Sequence, residues 1–162
     1  DIHIYTEENV AEAIETRIPY VFRENRYPGV PNLKIHRVTT EPFMAAGIEI
    51  IPIRVMHGRL PILGFRIGNM AYLTDLKSLP EEEYAKLEGL DVLIITALRW
   101  EEHPTHESVG EALEQIGRIR PKESYLIHMS HRIGLQSQVE KKLPPHVHLA
   151  YDQLEIPKLQ PV

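Results

Sequence analysis

The feature that most constrains the fold is a pair of continuous apolar runs in the second half of the chain. Residues 91–97 read DVLIITA, and residues 124–128 (SYLIH) form the second run. Runs of this kind are typical of strands that are covered on both faces of a parallel sheet. Between them, residues 106–118 place Val109 and Ile116 at helical spacing, which predicts a helix. Alternating strands and helices predict a layered α/β domain.

The rest of the chain fits this architecture. The first half reads as short strands punctuated by glycine and proline, with one helix near the start and a loop at 23–34. Strands are predicted at 1–6, 36–40, 47–55, 61–68, 70–74 and 146–156. Helices are predicted in 7–22, ending near Pro19, and at 80–88 and 135–143. Residues 157–162 are predicted to be a tail. No internal repeat or linker interrupts the pattern, so a single domain over residues 1–162 is predicted.

Composition limits the chemistry. The chain has no cysteine, which excludes disulfides and thiolate metal ligands, and its nine histidines are a generous supply of imidazole. The formal net charge of −5 gives no general attraction to nucleic acid or to an anionic membrane. No apolar run approaches the roughly 20 residues that cross a bilayer. The opening DIHIYTEEN has no basic segment followed by an apolar one, so the cytoplasm is the expected location.

Four short stretches place an imidazole or a carboxylate just past the end of an apolar strand. They carry His57 (IPIRVMHG), Asp75 (MAYLTD), His103 and His106 (DVLIITALRWEEHPTH), and His128 and His131 (YLIHMSH). Strand ends in α/β folds bring residues that are distant in sequence to one crevice, so we expect these side chains to converge. Oxygen and imidazole donors suit Zn²⁺ or Mn²⁺.

Each of these residues also has a simpler interpretation. An aspartate after a strand, such as Asp75 in DLKSLP, is commonly a turn former or a helix cap. His106 is equally consistent with an ordinary polar residue at a helix start. A single histidine is more often a hydrogen-bonded structural residue than a ligand. The joint order of the four stretches is what favours a site.

The remaining histidines carry less information. His146 and His148 have an H-x-H spacing that can chelate a metal, but the preceding prolines at 144–145 indicate a surface entry. We therefore interpret that pair as a solvated strand face. His3 and His36 have no partner pattern and are expected on the surface.

The order of the four stretches resembles that of the metallo-β-lactamase superfamily. More narrowly, it is similar to the branch that contains the PhnP-type cyclic phosphodiesterases and, more distantly, the tRNA 3′-processing nucleases. The likeness runs through almost the whole chain, and its most specific segments are GFRIGNMAYLTD, HPTHESVGEAL and IHMSH. The resemblance implies an αββα sandwich, of which this chain would be the larger, C-terminal part.

The resemblance also implies a cofactor and its ligands. The cofactor is two divalent metal ions, Zn²⁺ or Mn²⁺. By this likeness His57 completes the ligand set of the first metal, Asp75 bridges the two metals, and His128 completes the set of the second. The bridging carboxylate of Asp75 would offset the mutual repulsion of the two cations.

The implied activity is hydrolysis of a small, cyclic phosphodiester by a metal-bound hydroxide. Asp75 and His106 are the implied catalytic residues, and His106 acts as the acid for the leaving alkoxide. His103 and His131 are weaker candidates for contacts with the substrate. The expected partner is a small phosphodiester, with no membrane and no nucleic acid, and a homodimer is left open.

Three alternatives stay open at this point. An ester or thioester substrate would keep the fold, but the His-Pro-Thr-His segment at 103–106 favours the phosphodiesterase branch. Processing of RNA 3′ ends would call for a basic surface, which the charge of −5 does not favour. The third alternative is a catalytically silent binding domain.

One motif of the superfamily is missing from this chain. No segment matches His-x-His-x-Asp-His, so the other implied metal ligands are not supplied. The chain also opens directly on the alternating Ile2 and Ile4, without an initiator methionine. We therefore expect the C-terminal portion of a longer protein, with the missing ligands upstream or in a partner chain. The 162 residues alone are expected to be inactive.

Overall fold

The structure, a computed structural model, describes residues 1–25 and 27–156. The chain divides into two compact units, Asp1–Phe43 and Met44–Val162. The tail predicted at 157–162 lies outside the described residues, and the single domain stays a prediction. None of the described helices has the length and apolar composition that crossing a membrane requires.

The first unit is built on a pair of parallel strands. Strand β1 (Ile2–Thr6) is followed by helix α1 (Glu8–Arg17), a 3-10 turn (Pro19–Phe22) and strand β2 (Leu33–Arg37). β1 and β2 pair in parallel, with Ile2 opposite Leu33 and Thr6 opposite Arg37. The strand predicted at 1–6 is thereby confirmed.

Two boundaries in the first unit differ from the prediction. The helix predicted in 7–22, with its end near Pro19, stops two residues earlier at Arg17, because Pro19 lacks an amide donor and disfavours helical backbone at the residue before it. The strand predicted at 36–40 lies instead at Leu33–Arg37, so the predicted loop ends earlier. The parallel register with β1 decides this position, which local sequence pattern does not reveal.

The second unit contains most of a seven-stranded sheet in the order β3-β4-β5-β6-β7-β8-β9. The strands are β3 (Phe43–Ala45), β4 (Ile48–His57), β5 (Leu60–Ile67), β6 (Met70–Leu73), β7 (Val92–Thr96), β8 (Glu123–Ile127) and β9 (Val147–Leu149). β4, β5 and β6 are joined antiparallel, whereas β6 to β9 run parallel. β4, β6, β7 and β8 therefore all end at the same edge of the sheet.

Helices follow the parallel strands. The main one is α2 (Val109–Ile119), and α3 (Gln136–Val139) is a single short turn that continues as a 3-10 turn (Glu140–Lys142). The helix predicted at 80–88 is a 3-10 helix (Glu81–Leu87), in which Glu83 accepts a bond from the Arg54 amide on β4. The helix predicted at 135–143 is divided in two, because α3 and the 3-10 turn Glu140–Lys142 both lie within that range.

The last strand is also shorter than predicted. The prediction of 146–156 is wrong beyond residue 149, where β9 ends. The amide of Ala150 still donates to the carbonyl of Leu126, and a turn with Gln153 at φ 67° then leads the chain away. The sheet edge therefore ends with three residues of pairing.

The core lies around the two central parallel strands. Leu93, Ile95 and Leu126 have no exposed surface, and Val109 and Ile116 of α2 pack into the same cluster. Full burial of such a side chain contributes roughly 1.5–3 kcal/mol. This core confirms the predicted mixed α/β fold and holds the ends of β6, β7 and β8 side by side.

Candidate metal centre at the ends of the parallel strands

Asp75 lies two residues beyond the end of β6. Its backbone is left-handed, with φ 54°, and the next side chain, Leu76, is fully buried. Aspartate tolerates this conformation better than most residues. Burial of Leu76 anchors the segment to the core, and the Asp75 carboxylate, which is 41% exposed, lies at the sheet edge. The aspartate is therefore a turn residue and also a group available to a ligand.

His57 is the last residue of β4, and its ring orientation is set by a backbone carbonyl. Nδ1–H of His57 donates to the carbonyl of Thr105 at 2.9 Å, which leaves Nε2 free. The following residue, Gly58, has φ +63°, and a Cβ there would lie 3.1 Å from Thr105 Cγ2. This close approach explains the His-Gly pair. A histidine held through one nitrogen is typical of a metal ligand.

The segment from His103 to His106 follows β7 and carries three interacting side chains. The Thr105 hydroxyl lies 3.0 Å from Nδ1 of His106 and 3.3 Å from Nδ1 of His103. The two Nδ1 atoms are 3.2 Å apart. Thr105 was not among the predicted site residues, although its place within His-Pro-Thr-His was a signal. It connects all three neighbouring histidines, since its carbonyl also accepts from His57.

His106 itself precedes the helix rather than opening it. α2 begins at Val109, and Ser108 is the N-cap, with Glu111 completing a capping box. The predicted helix start at residue 106 is therefore wrong by three residues. Nε2 of His106 lies 3.1 Å from Oδ1 of Asp75, and the imidazole side chain is only 14% exposed.

His128 directly follows β8. Its backbone is left-handed, with φ 62°, and its Nε2 lies 3.3 Å from the same Asp75 oxygen. Its ring stacks on that of His106, with centroids 4.7 Å apart. A left-handed backbone at a non-glycine residue costs about 1–3 kcal/mol of conformational free energy, and such residues are concentrated at functional sites. Asp75 and His128 both have this backbone conformation, and their side chains meet.

The structure brings most of the predicted site residues together. The His57 and His106 ring centroids are 4.5 Å apart, and those of His103 and His106 are 5.1 Å apart. His131 is different, because it begins a 3-10 turn and is exposed to solvent. Among the described contacts, none joins His131 to the Asp75 carboxylate.

The donors fit a divalent cation. Asp75, His106 and His128 each offer a ligand atom, and these atoms lie within 4.8 Å of one another. Zinc binds imidazole nitrogen and carboxylate oxygen at about 2.0–2.2 Å and often uses three protein ligands with one open position. His57, with Nδ1 already engaged, is a further donor beside them. Within residues 1–25 and 27–156 this is the one group of three such side chains.

His106 and His128 have similar positions beside the Asp75 carboxylate. His106 is as close to Asp75 as His128 is, and the group of three contains His106 where the resemblance implies His57. Burial lowers the pKa of the His106 imidazole, and the hydrogen bond with Asp75 opposes part of that effect. Nε2 of His106 faces the Asp75 carboxylate, and its Nδ1 faces the Thr105 hydroxyl. The individual roles stay predictions.

The other histidines lie elsewhere in the structure. Nδ1 of His3 lies 2.8 Å from Nε2 of His36, so these two residues are paired, although the sequence showed no partner pattern; His3 is exposed as expected, whereas His36 is half-buried. His148 on β9 lies 2.8 Å from a carboxylate oxygen of Glu123 and remains 41% exposed, as expected for a solvated strand face.

Comparisons with known proteins agree with this architecture. The family described as the Beta-lactamase superfamily domain matches residues 1–129. An octanoyltransferase of Porphyromonas gingivalis is 46% identical over 157 residues, which is 96% of this chain and 32% of that protein. The chain therefore spans about a third of that curated relative.

Two solved structures extend the comparison. A diphosphatase of the PhnP family is 32% identical with a TM-score of 0.85, and the match covers 94% of this chain and 56% of that one. The short form of human tRNase Z is 19% identical with a TM-score of 0.63, covering 94% of this chain and 64% of that one, a likeness of fold alone. The resemblance predicted from motif order is confirmed: this chain belongs to the Beta-lactamase superfamily domain family, in its PhnP-like branch.

Proposed function

We propose that the protein containing this chain is a metal-dependent hydrolase that cleaves a small phosphodiester, with a cyclic ribose phosphate as the first candidate. The observation that carries the proposal is the convergence of two imidazoles, those of His106 and His128, on one oxygen of the Asp75 carboxylate, both within 3.3 Å, with the His57 ring beside that of His106. The likeness to a PhnP-family diphosphatase supports a phosphate substrate.

His57, Asp75 and His128 are the residues of this chain that would hold two divalent cations, Zn²⁺ or Mn²⁺, and the charge of Asp75 would serve both. Donors outside these 162 residues complete both ligand sets. When bound, such cations lower the pKa of a coordinated water and offset the negative charge of the phosphodiester. The bond from His57 to the Thr105 carbonyl supports the ligand role, because it fixes the ring and leaves Nε2 for the metal.

His106 is the proposed proton donor. As the bond between phosphorus and the leaving oxygen breaks, the developing alkoxide takes a proton from the imidazole. The ring is already oriented through both nitrogens, by Asp75 at 3.1 Å and by the Thr105 hydroxyl at 3.0 Å. A positioned acid of this kind contributes about 10²–10⁴-fold to a rate.

The proposal is tested on the full-length protein that contains this chain. Bis(p-nitrophenyl) phosphate and a ribose cyclic phosphate are supplied to protein loaded with Zn²⁺ or Mn²⁺, and to protein treated with a chelator. We expect hydrolysis only with metal, and recovery when the metal is returned. A metal-loaded protein that hydrolyses neither phosphodiester would overturn the proposal and favour a silent binding domain.

A second candidate is hydrolysis of an acyl thioester. The observation that favours it is the 46% identity to the Porphyromonas gingivalis octanoyltransferase, although the match spans 32% of that protein. An octanoyl thioester in the same assay separates the two candidates. Turnover of the thioester with no turnover of either phosphodiester would replace the first proposal by the second.

A further inference from the structure

The residue after His106 is a buried acid. Glu107 is 1% exposed, and its Oε2 has no hydrogen-bond partner among the described residues. Burial raises the pKa of this carboxyl to about 8. A buried polar group without its full set of hydrogen bonds is costly, so a buried acid beside a candidate catalytic residue calls for a physical reason.

The side chain of Glu107 is held by α2. Gln115 on that helix forms a hydrogen bond with the Glu107 carboxyl. The Tyr84 hydroxyl donates to Oε1 of Gln115 at 2.5 Å, and Arg118 donates to the Tyr84 hydroxyl at 2.8 Å. Because the amide oxygen of Gln115 is taken by Tyr84, its NH₂ group is the donor to Glu107. Tyr84 thereby fixes which end of the amide faces the carboxyl.

The backbone of Glu107 connects the segments of the candidate site. Its N–H donates to the carbonyl of Leu76, the residue after Asp75, at 2.8 Å. Its carbonyl accepts from Leu98 N–H at 2.9 Å, and the Leu98 carbonyl accepts from Ser130 N–H at 2.9 Å. One row of hydrogen bonds thus joins the segments that follow β6, β7 and β8. Glu107 lies in the middle of that row.

We propose that Glu107 is a positioning residue: its buried carboxyl, held by Gln115, keeps the adjacent His106 directed at Asp75. The inference rests on the proposed role of His106 as the acid. The carboxyl fixes one side of the segment in the core, and the two backbone bonds fix the other. His106 then needs no contact with Glu107 itself in order to depend on it.

The first test compares two variants of the full-length, metal-loaded protein. Glu107→Gln keeps the side-chain volume and an oxygen that accepts from Gln115, so we expect kcat within about threefold of the wild type. Glu107→Ala removes the contact, and we expect kcat to fall about 10–100-fold, the range for loss of a supporting partner. KM for bis(p-nitrophenyl) phosphate and the metal content should stay near the wild-type values.

A spectroscopic measurement separates this inference from the proposed function. In the metal-free protein, long-range ¹H–¹⁵N spectra report the protonated nitrogen of His106, and we expect Glu107→Ala to change the His106 signals while Glu107→Gln leaves them in place. If the wild type hydrolyses no phosphodiester but these signals change as expected, the proposed function fails and the positioning role stands.

Two further variants complete the design. Gln115→Met removes the donor to Glu107 without touching the site segment, and we expect the same change in His106 signals; it decides the question if Glu107→Ala does not fold. Glu114→Ala, an exposed acid on the same helix, is the matched control and should change nothing. Unchanged kcat and His106 signals in Glu107→Ala, or an equal defect in a folded Glu107→Gln, would overturn the inference.

Discussion

Two groups of histidines in this chain are equally close-packed but very different in their surroundings. His3 and His36 lie on neighbouring strands, 2.8 Å apart, and their ring centroids are 5.0 Å apart with nearly coplanar rings. This is an edge-to-edge pair between the exposed imidazole of His3 and the half-buried imidazole of His36. At the second group, His106 and His128 both approach one carboxylate, that of Asp75. Proximity of imidazoles is therefore not what defines the candidate site; the shared carboxylate is.

The backbone differs between the groups as well. His3 and His36 lie inside the regular strands β1 and β2, where His3 is opposite Lys34 and His36 is opposite Tyr5, so the two rings meet diagonally across the strand pair. At the candidate site, Asp75 and His128 lie beyond strand ends with left-handed backbone. That conformation has an energetic cost and is kept where the surrounding structure requires it. If this difference in surroundings is a difference in chemistry, substitutions at the candidate site change metal binding and hydrolysis, whereas substitution of His3 changes neither.

The largest effect is expected from Asp75→Asn. Asparagine tolerates the left-handed backbone but removes the negative charge, so we expect bound metal to fall to background and phosphodiester hydrolysis to fall by more than about 100-fold. Metal content is measured by mass spectrometry on the full-length protein. Glu123→Gln removes the carboxylate partner of His148 and should leave both readouts unchanged. Retained activity in a metal-loaded Asp75→Asn protein would contradict the mechanism.

His106→Ala is expected to lower kcat about 10²–10⁴-fold while the metal content survives, because an acid is lost and not a ligand. His148→Ala, the histidine beside Glu123, is the matched control and should be neutral. Loss of metal in His106→Ala would instead place His106 among the ligands, which would refute the acid role.

A pH-dependent difference in stability is expected from Glu107→Gln. The folded carboxyl has a pKa of about 8 against an ordinary 4.5, so the stability it contributes is full below pH 4.5 and is lost as the pH rises through 8. From pH 5 to 8 the metal-free wild type should lose about 3 kcal/mol relative to Glu107→Gln. Urea unfolding at both pH values measures this. A difference that does not change with pH would show that the carboxyl is not protonated in the fold.

A smaller effect is expected from Gly58→Ala. Gly58 at φ +63° and Gly89 at φ +71° both have left-handed backbone, so alanine at either should cost about 1–2 kcal/mol in thermal unfolding. Only at Gly58 would the new methyl group press on Thr105, 3.1 Å away, whose carbonyl holds His57. We therefore expect weaker metal binding in Gly58→Ala and none of that effect in Gly89→Ala. Equal metal affinity in the two variants would show that the Thr105 contact does not hold His57 for the metal.

The smallest effect is expected from His3→Ala. Removing one partner of an exposed imidazole pair should change the free energy of unfolding by no more than about 0.5 kcal/mol. Metal content and hydrolysis should stay at wild-type values. A lower metal stoichiometry in His3→Ala would erase the distinction between the two groups of histidines.

Local patterns predicted the second half of the chain best. The apolar runs around Leu93 and Leu126 became central parallel strands, because residues buried on both faces of a sheet leave a continuous signature in sequence. The start of α2 was predicted too early, although Ser108 and Glu111 have the spacing of a capping box. That signal was present in the sequence and should have moved the helix start past His106.

The sequence by itself determined the order of the strands other than β3, which was not predicted, the position of each candidate ligand at a strand end, and the likeness to the family. Only the tertiary structure decided that His106 lies between His57 and His128, that His3 pairs with His36, and that Glu107 is buried beside the site. Hydrophobic periodicity is a property of neighbouring residues. Convergence of side chains depends instead on strand order and on the left-handed turns at Asp75 and His128, which no local pattern specifies.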